Sequence, residues 1–378
     1  MSALWPLKNR ILNDPQDVKG YLELSEQSRH SRRIGSEVRS CLAALELGPG
    51  QVQTRVLLAQ ALMRADHYQA GWQLFEDRIL LEPNNGLYPQ ELMRLDPALC
   101  ASWPPLTELL VIKEMGYGDM IQFLRYGANL KGKANRCIAM VPQALVALVQ
   151  RANLFDLVVS SYQVTQPSSA GWLPMTSAAM VAGATRLNPI HSSRYLSACP
   201  DTVLHWRRRI TGGHQILIAL NWSAQRWIVE KDRSDSRHCP IEELSVLAAI
   251  PGVAFCSVQK GESQALWRDC SFADQFVAVQ GDIDASDSFE DTAAVLEICD
   301  LCITVDTSVA HLAGALGVKT WILLKYAPCW RWGVGRQGSD QSGWYESARL
   351  AFQGEPGDWG SAVQHAYDEV VSFLTETA

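Results

Sequence analysis

Residues 296–317 read LEICDLCITVDTSVAHLAGALG, a short apolar run followed directly by a helical pattern. The run Leu301–Val305 is rich in β-branched residues, which is typical of a strand buried on both faces. Apolar residues then recur at helical spacing from Val309 to Leu316, and Gly317 provides a stop signal. The stretch therefore predicts a buried strand that turns directly into a helix.

Three small polar residues, Asp306, Thr307 and Ser308, occupy the turn between this strand and this helix. The first N–H groups of a helix have no acceptor within it, and the positive end of the helix dipole adds to their attraction for anions. The turn is therefore a candidate phosphate site, with the Thr307 and Ser308 hydroxyls as additional donors. The alternative is that one of these residues caps the helix, which is their usual role at this position.

Composition places the chain among ordinary soluble globular proteins. Its 378 residues are 47% hydrophobic and 19% charged, with a formal net charge of -7, so nucleic acid is not expected as a partner. The length favours two α/β domains plus an appendage. Neither a signal peptide nor a transmembrane run is recognisable, which predicts a cytoplasmic protein. The ten cysteines lack a disulfide pattern, and the close pair Cys299 and Cys302 is expected to serve packing.

The N-terminal region, residues 1–86, is predicted to be helical. Its stretch Leu58–Pro83 resembles the tetratricopeptide repeat, in which small residues let two helices approach closely and a proline ends the unit. Only one to one and a half repeats are recognisable, so the region is expected to dock on the neighbouring domain or on a second copy of the chain, as in a homodimer. A structural cap is the favoured role, and a groove for a protein partner is the alternative.

Strand-like and helical segments alternate along the rest of the chain, which predicts parallel sheets with helices on both faces. A first α/β domain is assigned to residues 106–200 and a second to 201–358, and a final helix within 359–378 has the option of crossing back to the first. Residues 84–105 are expected to form a linker, and 162–200 to be irregular. The predicted strands are residues 109–113, 137–141, 157–159, 216–220, 254–258, 301–305 and 320–324.

Six motifs occur in the order and spacing of the tetratricopeptide-linked glycosyltransferases related to bacterial heptosyltransferases, a family that the chain resembles from about residue 57 to 370. They are GYGDMIQFLRY at 116–126, DRS at 232–234, SVQKG at 257–261, VDTSVAHLAGALG at 305–317, WRW at 330–332 and GDW at 357–359. The resemblance implies the GT-B fold, in which two Rossmann-like domains face a cleft, the first holding the acceptor and the second the nucleotide-sugar donor. It also implies inverting sugar transfer without a metal ion, and with the nucleotide sugar as co-substrate in place of a cofactor.

A departing nucleoside diphosphate gains negative charge, so its site requires hydrogen-bond donors and cations. Its candidate ligands come from the 306–308 turn, from the helix that follows, and from a loop that faces the donor in the family: Asp306, Thr307, Ser308, His311, Arg233 and Lys231. Arg233 has an alternative in a salt bridge with Asp232 or Asp235. His311 has an alternative in a buried hydrogen bond.

The acceptor hydroxyl must lose a proton as it attacks, which requires a carboxylate in the cleft. Asp119 is the candidate general base, because the aspartate of this Gly-Asp turn is proposed to have that role in related heptosyltransferases; the alternative is a helix cap. The other acceptor-side or cleft candidates are Gly116, Tyr117, Gly118, Gln122, Trp222, Trp330 and Arg331. The nucleoside-binding candidates, which the resemblance places just past a strand end, are Gln259, Lys260 and Glu262.

Two departures from the family pattern bear on activity. Relatives usually carry a glycine-rich turn after the strand at 216–220, whereas this chain has the bulkier NWSAQRW at 221–227, and Cys329 stands where an aspartate is common. The first hypothesis is a glycosyltransferase that moves a sugar from a nucleoside-diphosphate sugar to a hydroxyl of a protein or glycan. The rival is a catalytically weak binding or scaffold protein. An epimerase that acts on the nucleotide sugar alone ranks last.

Overall fold

The computed structural model describes residues 4–81, 88–89, 91–164, 167–210, 215–224, 236–333 and 340–377. Within these ranges, N-terminal helices precede two five-stranded sheets. The helices are α1 (Trp5–Asn13), α2 (Val18–His30), α3 (Ile34–Leu47), α4 (Val52–Arg64), α5 (Tyr68–Phe75), α6 (Tyr117–Leu124), α7 (Gly127–Leu130), α8 (Gln143–Arg151), α9 (Ala178–Ala182), α10 (Pro200–Arg209), α11 (Gln280–Ala285), α12 (Phe289–Ile298), α13 (Ser308–Leu316) and α14 (Trp359–Thr377). The strands are β1 (Met93–Arg94), β2 (Glu108–Ile112), β3 (Arg136–Met140), β4 (Leu157–Val159), β5 (Ala170–Pro174), β6 (Ile216–Asn221), β7 (Val253–Ser257), β8 (Leu301–Val305), β9 (Thr320–Leu324) and β10 (Ala348–Phe352).

Both sheets are parallel in every pairing between these strands. The first sheet has the order β1-β5-β2-β3-β4, and the second has the order β10-β9-β8-β6-β7. Strands β2, β5, β8 and β9 are buried along their whole length, because helices cover both faces of a parallel sheet. The predicted α/β architecture, with two parallel sheets after a helical segment, is confirmed.

The prediction that residues 162–200 are irregular was wrong, because β5 pairs with β2 inside the first sheet. This strand reads Ala-Gly-Trp-Leu-Pro, and its glycine and proline hide the strand pattern. The glycine serves a close approach, since a Cβ on Gly171 would lie 2.9 Å from Cγ of Leu95. Strand β1, which pairs with β5, lies in the stretch expected to be a linker.

Alternate residues of the central strands face two different apolar clusters. Leu109 and Val111 of β2 point into a central cluster that lies between the sheets, whereas Leu110 and Ile112 point to the outer face of the first sheet. On β6 the same alternation puts Ala219 in the central cluster and its neighbours in the outer cluster of the second sheet. One continuous core therefore joins the facing sides of the two sheets.

The N-terminal helices add aromatic side chains to that central cluster. Tyr68, Trp72 and Phe75 of α5 are buried in it, and the Trp72 ring centroid lies 5.4 Å from that of Trp330 in an edge-to-face arrangement. The indole N–H of Trp72 donates to the carbonyl of Ala184 at 2.8 Å. The helical segment thus docks on the rest of the chain, which is one of the two arrangements expected for it.

The C-terminal helix α14 packs on the second sheet, beside a 3-10 helix at Ile241–Ala249, through residues such as Val363 and Val370. The sequence leaves open whether this helix crosses back to the first domain, and in the structure its buried residues lie in the outer cluster of the second sheet. Cys299 and Cys302 are buried in the central cluster, where burial raises the pKa of the Cys302 thiol well above its usual value. In the described part of the chain, each helix is too short or too polar to span a bilayer.

Candidate active site

Two strand-to-helix turns, one from each sheet, meet between the sheets. The turn after β2 leads into α6, whose second residue is Gly118, and the turn after β8 leads into α13 at Ser308. A Cβ built on Gly118 would lie 2.8 Å from Cδ2 of His311 and 3.4 Å from Cα of Ser308, so a residue larger than glycine would push the two helices apart. The contact brings Asp119 to the start of α13. We call Gly118, Asp119, Ser308, His311 and Arg331 the intersheet junction.

Asp119 accepts hydrogen bonds from both sides of the junction. The backbone N–H of Gly116 donates to its Oδ2 at 3.1 Å, which caps α6, and Nη2 of Arg331 donates to its Oδ1. Arg331 is held in turn by Gln122, whose Oε1 accepts from its Nε at 2.9 Å, and by the face of Trp330, 4.4 Å from the guanidinium carbon. The structure therefore shows the capping contact that was the alternative for Asp119, together with an ion pair between the two sheets.

The guanidinium of Arg331 stays protonated, and therefore positively charged, in this setting. Burial alone would lower the pKa of its guanidinium, but Asp119, with smaller contributions from Cys329 and Asp306, raises that pKa above the ordinary arginine value. Its side chain is 11% exposed and that of Asp119 is 23% exposed. The pair is thus largely shielded from water. Electrostatic interactions at such a shielded site are stronger than at the surface.

Thr307 caps α13. Its Oγ1 accepts from the N–H of Val309 at 3.2 Å and donates to Oδ1 of Asn221 at 2.8 Å. Asn221 also donates from its Nδ2 to Oε1 of Gln259 at 2.8 Å. The capping alternative therefore applies to Thr307, whereas Ser308 contributes a half-buried hydroxyl in the first helical turn.

Two of the three nucleoside candidates make extensive hydrogen bonds within the protein. Oε1 of Gln259 also accepts from the backbone N–H groups of Trp222 and Ser223, at 3.1 and 2.9 Å. Nζ of Lys260 donates to the carbonyl of Ile283 at 2.9 Å, and burial lowers the pKa of this ammonium although Asp284 partly opposes that effect. Glu262, in contrast, is exposed. Gln259 thus fixes the 221–223 turn, and its binding of a nucleoside stays a prediction.

His311 is buried against the junction. Its Nδ1 shares a hydrogen bond of 2.8 Å with the hydroxyl of Tyr345, and its ring stacks on Trp332 at a centroid distance of 5.3 Å. Burial lowers the pKa of His311 to about 4, with Asp306 partly opposing the shift, so the imidazole is neutral near pH 7. The buried hydrogen bond considered for His311 is therefore present, and contact with phosphates stays a prediction.

The aromatic cleft candidates differ in their surroundings. Tyr117 is 42% exposed, and its ring lies 5.0 Å from that of Phe289 on α12, so it bridges the two sheets near the surface. Trp222 is fully buried in the outer cluster of the second sheet, and Trp330 is buried in the central cluster. Trp330 therefore belongs to the core beside the junction, whereas Trp222 packs on the opposite face of the second sheet.

Arg233, Lys231 and residues 225–227 of the altered turn lie outside the described residues. A nearby cation that sequence reasoning missed is Arg237, whose Nη1 donates to the carbonyl of Asp306 at 2.9 Å. It follows Lys231 and Arg233 in the sequence, and this group of basic residues was a usable signal. Asn221 was also missed as a positioning residue, although a polar residue at the end of a buried strand marks such a position. No pattern in the sequence around Tyr345 marks it as the partner of His311. In the described ranges, His, Cys, Asp and Glu side chains form no group of three suited to a metal ion.

The fold is thus a pair of parallel sheets, covered by helices, whose carboxyl ends share one candidate site. No family model matches the chain. Protein FlbA of Caulobacter vibrioides (strain ATCC 19089 / CIP 103742 / CB 15) is 26% identical over 170 residues, which are 44% of this chain and 27% of FlbA. The chain therefore covers only about a quarter of the length of that relative.

Similar solved structures include the glycosyl transferase family 9 protein of Veillonella parvula DSM 2008, with a TM-score of 0.47, 11% identity, and coverage of 71% of this chain and 90% of that one. E. coli ADP-heptose lps heptosyltransferase II has a TM-score of 0.45 and 12% identity, with coverage of 72% and 100%. An O-GlcNAc transferase mutant of Thermobaculum terrenum has a TM-score of 0.31 and 13% identity, with coverage of 97% and 85%.

Proposed function

We propose that the chain is an inverting glycosyltransferase that moves a sugar from a nucleoside-diphosphate sugar to a hydroxyl of a protein or glycan, without a metal ion or further cofactor. The observation that supports it most is the convergence of two elements at the intersheet junction. A carboxylate, Asp119, comes from the first sheet, and the start of a helix, at Ser308, comes from the second. A base and an anion-binding helix end are what this reaction requires side by side.

In the proposed transfer, Asp119 takes the proton of the acceptor hydroxyl. The acceptor oxygen forms a bond to the anomeric carbon, and the bond from that carbon to the diphosphate breaks, so that the nucleoside diphosphate leaves with the electron pair. Its growing charge is stabilised by the Ser308 hydroxyl, by first-turn N–H groups of α13 and by Arg237, which lies at the same turn. Lys231 and Arg233 are proposed to add positive charge from the neighbouring loop.

The test is a transfer assay with radiolabelled UDP-glucose, UDP-N-acetylglucosamine, GDP-mannose and ADP-heptose against the proteins and glycans of a cell extract. Asp119→Ala should lower the rate by a factor of about 100 or more, because general-base catalysis contributes that much. Asp269→Ala, which removes an exposed carboxylate far along the chain, should leave the rate unchanged. Transfer at the wild-type rate by Asp119→Ala would remove Asp119 as the base, and sugar isomerisation without an acceptor would favour an epimerase.

A second candidate function, a nucleotide-binding scaffold of little catalytic power, is favoured by one specific observation. Both oxygens of Asp119 accept hydrogen bonds from within the protein, and Thr307, Asn221 and Gln259 form a closed polar network where a donor would lie. A scaffold should bind nucleoside diphosphates, as seen by a rise in unfolding temperature, and yet transfer no sugar. Turnover with any donor would exclude it.

A further inference from the structure

Two side chains at the intersheet junction can donate hydrogen bonds to an oxyanion: Arg331, and the neighbouring Gln122 that accepts from it. Arg331 has hydrogen-bond donors but no acceptor, so Gln122 must turn its Oε1 toward Nε of Arg331, at 2.9 Å, and its amide orientation is fixed. The Nε2 group of Gln122 is then left without an acceptor among the described residues, although this side chain is fully buried. Buried donors nearly always have a partner. An oxygen of a ligand beside Arg331 would supply one.

A ligand oxygen can replace Asp119 as the acceptor of the hydrogen bond from Nη2 of Arg331. Its Nη2 donates to Asp119, whose second oxygen stays bound to the N–H of Gly116. A guanidinium binds phosphate and carboxylate oxygens with the same planar geometry, and a diphosphate brings more negative charge than one carboxylate. Two other contacts keep Arg331 in place. The ring of Trp330 lies beneath its guanidinium, and its backbone carbonyl accepts a hydrogen bond from Nε1 of Trp344 at 2.7 Å.

We propose that Arg331 and Gln122 bind the diphosphate of the donor, and that this diphosphate displaces Asp119 from Arg331 and so releases the carboxylate to act as the base. The inference rests on the proposed function and adds to it a donor-binding role for Arg331 and Gln122. Asp119 and the diphosphate compete for one guanidinium. The base becomes available only when the donor is bound, which links deprotonation of the acceptor to the presence of a sugar to transfer.

The competition between Asp119 and the diphosphate predicts how diphosphate affinity changes when Asp119 loses its charge. Removing the charge of Asp119 should tighten diphosphate binding, because nothing then has to be displaced from Arg331. Affinities of the full chain for pyrophosphate, UDP, GDP and ADP are measured by titration calorimetry. Asp119→Asn should bind about tenfold more tightly than the wild type, the size of effect that neighbouring charges show in double-mutant cycles. Arg331→Gln should bind at least about tenfold more weakly, and the double variant should behave like Arg331→Gln alone.

The matched control is Asp17→Asn at the N-cap of α2. Asp17 also accepts from an arginine, Arg10, and from a backbone N–H, that of Gly20 at 2.9 Å, and it lies in the N-terminal helices. Its replacement should leave every diphosphate affinity unchanged. Should Asp119→Asn fail to fold, Asp119→Ser removes the same charge and is expected to tighten binding as well.

The outcomes separate this inference from the proposed function. If the wild type binds a diphosphate and Asp119→Asn binds it equally well or more weakly, the competition is overturned and the glycosyltransferase proposal is left intact. No binding of any of these diphosphates by the wild type or by Asp119→Asn would overturn both.

Discussion

At the scale of single residues, His311 shows how burial sets a protonation state. Its ring lies between Trp332 and Tyr345, with little access to water, so the charged form is disfavoured. The surrounding charges have mixed signs: Asp306 and Asp119 favour protonation, whereas Arg331 and Arg125 oppose it. The net result is a pKa of about 4 against an ordinary value of 6.5.

This shift predicts a loss of stability in mild acid. The unfolded chain takes up a proton at His311 near pH 6.5 and the folded chain only near pH 4, so the free energy of unfolding should decrease as the pH falls through that window. The slope from this residue is at most about 1.4 kcal/mol per pH unit. His311→Gln should flatten the pH dependence in urea unfolding between about pH 7 and about pH 5. The control His205→Gln, on an exposed face of α10, should keep the wild-type slope; an unchanged slope in His311→Gln would contradict the assignment.

The residues of the site were only partly predictable. Asp119 and the 306–308 turn stand out in the sequence because they follow glycines or a buried strand, where local pattern and chemistry coincide. The partner of Asp119, Arg331, is 212 residues away, and that of His311, Tyr345, is 34 residues away. The first pairing arises where the two sheets meet, and the second where segments around the second sheet pack together, so no local pattern contains either.

At the scale of elements, the same distinction separates the strands that were predicted from those that were missed. Strands β8 and β9 have their predicted bounds because buried parallel strands are uninterrupted apolar runs. Strand β5 contains glycine and proline, and β1 has two residues, so neither shows that pattern. Both are strands only because neighbouring strands offer their backbone groups to them.

The α4–α5 pair gives a prediction at this scale. A Cβ on Gly71 would lie 2.5 Å from Cγ of Met63 and 3.2 Å from the carbonyl oxygen of Ala59. Gly71→Ala should therefore destabilise the protein by about 1–3 kcal/mol, because overpacking outweighs the gain in helix propensity of about 1 kcal/mol. Denaturant unfolding measures the change. Gly50→Ala, where a Cβ meets nothing within 4 Å, should stay within about 0.5 kcal/mol of the wild type; equal effects of the two variants would argue against close helix contact.

At the scale of the whole molecule, helices α4 and α5 and both sheets share the central cluster. Trp72 contacts Phe123 of the first sheet's α6 and Trp330 beyond the second sheet's β9, at ring distances of 6.0 and 5.4 Å. Arg78 extends the contact with an ion pair to Glu114 at 2.8 Å. Parts joined by one core are expected to unfold together.

Trp72→Ala should therefore destabilise the entire chain by about 3–5 kcal/mol, the cost of a large cavity in a core. Unfolding by guanidinium, followed by circular dichroism and by tryptophan fluorescence, should give one transition that both signals share. Trp5→Ala is the matched control, since Trp5 is 54% exposed and its loss should cost no more than about 0.5 kcal/mol. Two separate transitions in the wild type would show that the helices fold independently.

The indole of Trp72, which donates to the carbonyl of Ala184 and fills the space beside Trp330, has a consequence for the ancestry of such chains. A helical repeat that contacts only the neighbouring repeats can be gained or lost by gene rearrangement as an independent unit. Here a recombination event that replaced the helices would also have to supply an aromatic surface that fits both sheets. We therefore expect the helices and the sheets to be inherited together.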